Sequence, residues 1–402
     1  DYVKTRGNMY FQTLDDKTEC VGVYKDGRLH FKDFPEELQR TWRPGGFFDD
    51  SSIEYAWLIC GGSSLEDVCP DELLEEYRSV VRKMSAFYKS FKIAKIDFNE
   101  HCIFDLIPHD ALVQFCEIKN KITRHVFDSM SKPANYDYLV TVAKLLQKIR
   151  YQGLHVEAAD CKNLFLNTVN RHALQKILQA SVYIDYNLFG TVTGRLTTNP
   201  GSFPILTMKK ELRKAVKPKN DWFVSLDYNG AEVRTLLSLT GEAQPKIDIH
   251  EWNSLHLFEQ NITRDECKTR FFAWLYDPNS DAISTEMYSK KKALNKWYSA
   301  GVITTPFGRQ IKVEDRKALN YLIQSTTSDL VLERAVAIDE FLKDKKSFIS
   351  HIVHDELVLD ISDDEKYLIP EIKSMFANNK LDQFVVNIQA GKNYYDLEEL
   401  AL

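Results

Sequence analysis

Four residues spaced four apart carry the first chemical signal in this chain: Arg264, Lys268, Phe272 and Tyr276. Positions i, i+4, i+8 and i+12 share one helical face. That face would set two cations, suited to phosphates, ahead of two aromatics, suited to stacking on a base. Two aspartates, Asp227 and Asp355, each close an apolar run of strand character on either side of this helix. Each Asp alone reads as an ordinary turn residue. As a pair, they could hold divalent metal ions through hard oxygen ligands. A phosphate-binding face, a stacking face and a metal pair together describe template-directed nucleotidyl transfer.

The elements that must position these groups follow from local pattern. Trp222–Leu226 reads as a buried strand ending at Asp227, and 231–241 as a helix stopped by Gly241. Thr263-Arg264-Asp265-Glu266 is a capping box that starts the helix with the four-spaced face. A further long helical pattern covers 317–343. Apolar runs at 348–353 and 357–361 flank His354-Asp355-Glu356, which predicts a hairpin with its acids at the tip. Upstream, 9–32 alternates between turn signals and predicts two or three short antiparallel strands. Residues 41–70 read as irregular, with Pro44-Gly45-Gly46 and Gly61-Gly62 as breakers. Helical patterns begin at Asp71 and continue over 109–130 and 135–153, the last capped by Gly153.

The 402 residues exceed a single small core and imply two or more lobes. No run of about 18 apolar residues exists, so no membrane span is expected. Seven scattered cysteines without a CxxC imply an intracellular, reducing compartment and no zinc site. The opening DYVKTRGNMYF does not form a signal peptide, and the absence of an initial Met suggests a fragment or a processed product. The net charge of −6 argues against a general nucleic-acid coat protein. It leaves room for a local basic groove: 207–219 carries six Lys/Arg against one Glu, and 289–296 carries four Lys and no acid.

At this point the chain resembles the A-family, pol I-like DNA polymerases. VSLDYNGAEVR (224–234) resembles motif A, R-x3-K-x3-F-x3-Y (264–276) resembles motif B, and ISHIVHDELVLDI (349–361) resembles motif C. TGRL (193–196), DIH (248–250), TPFGRQ (305–310) and NYLIQSTTSDL (320–330) match lesser motifs in the family's order, and the C-terminal VNIQAGKNYYDLEE resembles its last strand. The resemblance covers about residues 140–402.

It implies an α+β right hand: an antiparallel β palm with helical fingers and thumb. A small β-rich segment would span 1–75 and a thumb region 76–179. The palm would be built from 180–245 and 301–402, with fingers from 246–300. Asp227 and Asp355 would bind two Mg²⁺ ions, with Mn²⁺ as a substitute, assisted by the Tyr228 carbonyl and supported by Glu356. Arg264, Lys268 and His250 would grip the triphosphate, with Lys268 counted among the catalytic groups. Phe272 would stack on the incoming nucleotide, and as Phe rather than Tyr it implies poor use of dideoxynucleotides. Tyr276 would guard the templating position, and Glu232 would exclude a 2′-OH. Arg195, Asn320, Gln324, His354 and Arg309 would touch DNA.

The implied partners are primer–template DNA, deoxynucleoside triphosphates and replication accessory proteins. The chain would act as a monomer, with no membrane. Asp277 stands where the family has Gly after the motif B tyrosine, Asn229-Gly230 replaces Ser-Gln, and Ser325 replaces Gly. The segment 200–206 departs from the family's PNLQNIP. The short spans after Gly153 and Tyr276 imply a trimmed thumb and fingers, low processivity without a partner, and a viral or mobile-element character. Residues 1–70 hold no D-x-E, so no proofreading is expected of this chain. The alternatives are a single-subunit RNA polymerase, disfavoured by Glu232 and VHDE, and a non-catalytic primer–template-binding relative, disfavoured by the intact Asp227, Asp355, Arg264 and Lys268.

Overall fold

Alternating side chains and tight turns build the sheet expected near the start of the chain. In a computed structural model, which describes residues 9–17, 19–45, 52–98, 100–158, 161–258 and 262–401, β1 (Phe11–Asp16), β2 (Glu19–Lys25) and β3 (Arg28–His30) form an antiparallel meander. Asp26 and Gly27, both at positive φ, make the two-residue β2–β3 turn that matches strand twist. The chain divides into two units, residues 1–151 and 152–402.

In the first unit, α1 (Asp71–Ile93), α2 (His109–Ser129) and α3 (Tyr136–Gln152) follow the expected helical patterns. Leu14 and Tyr24 of the sheet pack with Leu112 and Cys116 of α2. The stretch expected to be irregular holds a short parallel pairing of Arg40–Thr41 with Glu54–Tyr55 and a helical turn at Ala56–Ile59. Gly46 of the expected breaker lies outside the described residues. Among the described residues, no helix is long and apolar enough to cross a membrane.

The second unit opens with Gly153 at φ +64, just past α3, and continues through α4 (Thr168–Gln179), whose Asn167 cap accepts from Val169 and Asn170. Next come β4 (Trp222–Tyr228), α5 (Ala231–Thr240), α6 (Ile249–His256), α7 (Arg264–Tyr276) and α8 (Lys290–Trp297). A small meander of β5 (Tyr298–Ser299), β6 (Val302–Thr304) and β7 (Gln310–Lys312) leads to α9 (Asp315–Phe341). The hairpin β8 (Phe348–Val353) and β9 (Glu356–Ile361), then α10 (Ile369–Ala377), β10 (Val386–Gly391) and β11 (Glu398–Glu399) complete it.

The main sheet has the order β8-β9-β4-β10-β11, antiparallel throughout. β4 sits at its centre, with Phe223, Val224 and Leu226 buried. The strand runs one residue past Asp227, where the sequence reading ended it. Asp227 pairs with Glu356 on one side and Asn387 on the other, so ladder pairing carries β4 on to Tyr228. Beside this sheet, Val233, Leu236 and Leu237 of α5, Phe271 and Trp274 of α7, and Leu322 and Ile323 of α9 share one core. Full burial of a side chain such as Phe271 contributes roughly 1.5–3 kcal/mol.

Candidate active site

Two pieces of backbone geometry set the carboxylates. The β8–β9 hairpin turns at His354 (φ +57) and Asp355, which puts Asp355 one residue before Glu356, the partner of Asp227 across the β4–β9 ladder. On the other side of Asp227, Gly230 at φ +64 breaks the chain from strand into helix. A Cβ there would stand 2.3 Å from Cγ2 of Ile249, so the turn excludes any larger residue. Glu232 then falls in the first turn of α5.

The carboxylates crowd one another. Burial, followed by the charges of Asp355 and Glu356, pushes the Asp227 carboxyl up to about 7, against weaker opposing pulls from Asn387 and Lys268. Glu356 is fixed at both oxygens: Ser225 Oγ donates to Oε1 at 2.6 Å, and Tyr394 Oη donates to Oε2 at 2.7 Å. Among the described residues, no group of three His, Cys, Asp or Glu side chains could hold a metal ion by itself. The donor set still fits a hard divalent cation that keeps water and takes substrate oxygens. Two carboxylates lie close enough to repel, one is already costly to ionise, and no soft ligand is among them.

Along α7, burial separates two faces. Cys267, Phe271, Trp274 and Leu275 are buried, whereas Arg264, Lys268 and Tyr276 are exposed and Phe272 is half-buried. Phe272 and Tyr276 stack at 5.8 Å with an interplanar angle of 16°. The capping box is formed, with Thr263 and Glu266 each bonded to the other's backbone. Arg264 is engaged by Asp248 through Nε and NH2, at 3.1 and 2.7 Å. That carboxylate also caps α6 and accepts from Asn229, and these bonds hold its pKa far below the usual range despite partial burial.

His250, expected beside Arg264 and Lys268 on the triphosphate, sits in a different environment from those two cations. It is buried, and desolvation lowers its pKa to about 4, so its ring is neutral near pH 7 and Nδ1 has no hydrogen-bond partner. It can donate or accept one hydrogen bond but adds no charge.

Glu232 joins two of the other expected residues. Its Oε2 accepts from Tyr276 Oη, and its Oε1 accepts from Arg195 NH2 at 2.9 Å. Tyr228 is buried against Phe376 and donates through Oη to the Phe376 carbonyl, which anchors the end of β4. Asn320 and Gln324 sit one turn apart on α9, half-buried, with Asn320 Oδ1 buried and without a partner. Arg309 is turned inward. Its guanidinium makes a two-pronged pair with the fully buried Asp329, at 2.8 and 2.7 Å, and packs under Gly194. Direct contact with DNA is therefore not what its geometry supports. Asp248, Ser225 and Tyr394 lie in segments quoted above for their resemblance but were assigned no role there. Their partners lie 16, 131 and 38 residues away, which no local pattern shows.

No family model matches the chain. It is 24% identical over 278 residues to DNA polymerase I of Chloroflexus aurantiacus, covering 55% of this chain and 30% of that protein. DNA polymerase I of Caldicellulosiruptor bescii is 22% identical over 379 residues, covering 72% and 45%. The chain thus spans less than half the length of these curated relatives. The POL domain of Pol1 from M. smegmatis, solved in complex with DNA primer–template and dNTP, superposes with a TM-score of 0.64 at 12% identity, over 97% of this chain and 96% of that one. In sequence the chain is similar to these DNA polymerase I proteins, and it has the α+β fold of the POL domain.

Proposed function

We propose that the chain is a template-directed DNA polymerase that extends a primer 3′ end with deoxynucleotides and releases pyrophosphate. The observation that carries this reading is the meeting of three motifs at Asp227: Asp355 and Glu356 from the β8–β9 hairpin and Lys268 from α7 all act on its carboxyl. Carboxylates for metal and a cationic, aromatic helix face converge on one point, as nucleotidyl transfer requires. Two Mg²⁺ ions would supply activation of the 3′-hydroxyl and neutralisation of the leaving pyrophosphate.

The remaining work falls to side chains. Asp227 and Asp355 would hold the cations, with the Tyr228 carbonyl assisting and Glu356 completing the acidic surround. Lys268 and Arg264 would neutralise the triphosphate, Arg264 exchanging Asp248 for phosphate oxygens. Phe272 would stack on the base. Glu232, braced by Arg195 and Tyr276, would fill the space a 2′-OH needs. Asn320, Gln324 and His354 would contact primer–template. We assign 76–179 to the thumb, 246–300 to the fingers, and 180–245 with 301–402 to the palm. Seven free cysteines support a reducing compartment. The test is extension of a primer on templates that differ in the next base, each offered one nucleotide at a time. Addition that follows the template supports the reading, and untemplated or absent addition by the whole chain refutes it.

A further inference from the structure

We infer that Lys290 is a positioning residue for sugar selection. Its ammonium caps the C-terminus of α7 and so holds Tyr276 against Glu232. This rests on the polymerase reading above.

Lys290 opens α8, where a cation meets the wrong end of the helix dipole. Its side chain leaves that helix for another. Nζ donates to the carbonyls of Trp274 at 2.5 Å, Asp277 at 2.7 Å and Ser280 at 3.0 Å, using all three ammonium donors. It also lies 4.6 Å from the Trp274 ring centroid, a cation–π distance. Trp274 is in the last turn of α7, where carbonyls have no partner within the helix and the dipole favours positive charge.

The need for this cap follows from the way α7 ends. A helix often ends on a left-handed glycine whose N–H satisfies these carbonyls. Here the C-cap is Asp277, at φ −89 and ψ 108, where the family pattern has Gly. The N–H of Asp277 reaches only the Ala273 carbonyl. Lys290 supplies what that glycine turn would have given, and the turn over 277–280 closes around it. The last helical residue is Tyr276, whose hydroxyl donates to Glu232, which Arg195 holds from the other side. Loosening the final turn of α7 thus frees one of the two groups that fix Glu232.

The test compares wild type with Lys290→Met, alone and in a Tyr276→Phe background. Lys290→Gln, which keeps N–H donors without the charge, covers the case in which Lys290→Met does not fold. Single-nucleotide extension with dNTP and rNTP measures sugar selectivity, and amide hydrogen exchange measures the end of α7. Lys290→Met is expected to lower dNTP-over-rNTP selectivity about tenfold, mainly by raising kcat/KM for rNTP. In the Tyr276→Phe background the same change should fall below about twofold, because the path through Tyr276 is already cut. Amides at Tyr276 and Asp277 should exchange about tenfold faster in Lys290→Met, with no change in the middle of α7.

Unchanged selectivity, or an effect that persists in full without the Tyr276 hydroxyl, overturns the positioning role. If the wild type extends no primer, the polymerase reading has failed, and exchange alone decides the cap. Faster exchange confined to the end of α7 supports it, and unaltered exchange overturns it.

Discussion

Replacing Asp227 by Asn should abolish catalysis and at the same time stabilise the metal-free fold. Burial beside Asp355 and Glu356 moves the Asp227 carboxyl from an ordinary 3.8 up to about 7. Such a displacement is worth on the order of 2–4 kcal/mol. Its sign is fixed by proton binding. Between these two values the folded chain holds a proton that the unfolded chain has released, so stability falls as pH rises through that window. Above about pH 7 the full cost of ionising the site is present. Asparagine carries no such cost.

Denaturant unfolding in chelator should therefore show wild type and Asp227→Asn nearly equal near about pH 4, and the variant ahead by on the order of 2–4 kcal/mol near about pH 8. Added Mg²⁺ should stabilise wild type and leave the variant nearly unmoved, because only a bound cation offsets the crowded charge. A stability difference that stays constant with pH would refute this reasoning, as would a wild type that gains on the variant as pH rises.

Other changes test other parts of the site. Glu232→Ala removes the acceptor shared by Tyr276 and Arg195 and should raise ribonucleotide incorporation by at least about tenfold in single-nucleotide extension. Arg309→Met leaves Asp329 buried without its guanidinium and should cost roughly 3–5 kcal/mol in denaturant unfolding. Tyr394→Phe frees one Glu356 oxygen and should raise the Mg²⁺ concentration needed for half-maximal extension about threefold to tenfold, with a stability cost of about 1 kcal/mol. His250 should titrate near 4 by NMR and contribute stability that is complete above its ordinary 6.5 and lost as pH falls toward 4.

Local chemistry was legible in the sequence wherever one element decides the outcome. The capping box at Thr263, the four-residue stripe of α7 and the hairpin around Asp355 are properties of short segments, and they form as read. Gly241 stops α5 for the same reason, at φ +78. The last residue of β4 was not legible, because Tyr228 is kept in the strand by Val386, far along the chain. Titration behaviour was hidden likewise: the sequence does not show that burial lowers the His250 pKa to about 4. Arg309 looks like a DNA contact until Asp329, on a different element, claims its guanidinium. Lys290 reads as one of a run of lysines, and only the fold reveals that its ammonium faces the end of another helix.

The most direct test of the account is extension of a primed DNA template by wild type and by Asp355→Ala, with Mg²⁺ and dNTPs. The account predicts templated addition by the wild type, its loss in the variant, and unchanged binding of primer–template by both. Templated addition that survives Asp355→Ala would contradict the metal site. A wild type that binds primer–template without extending it would contradict the polymerase reading itself.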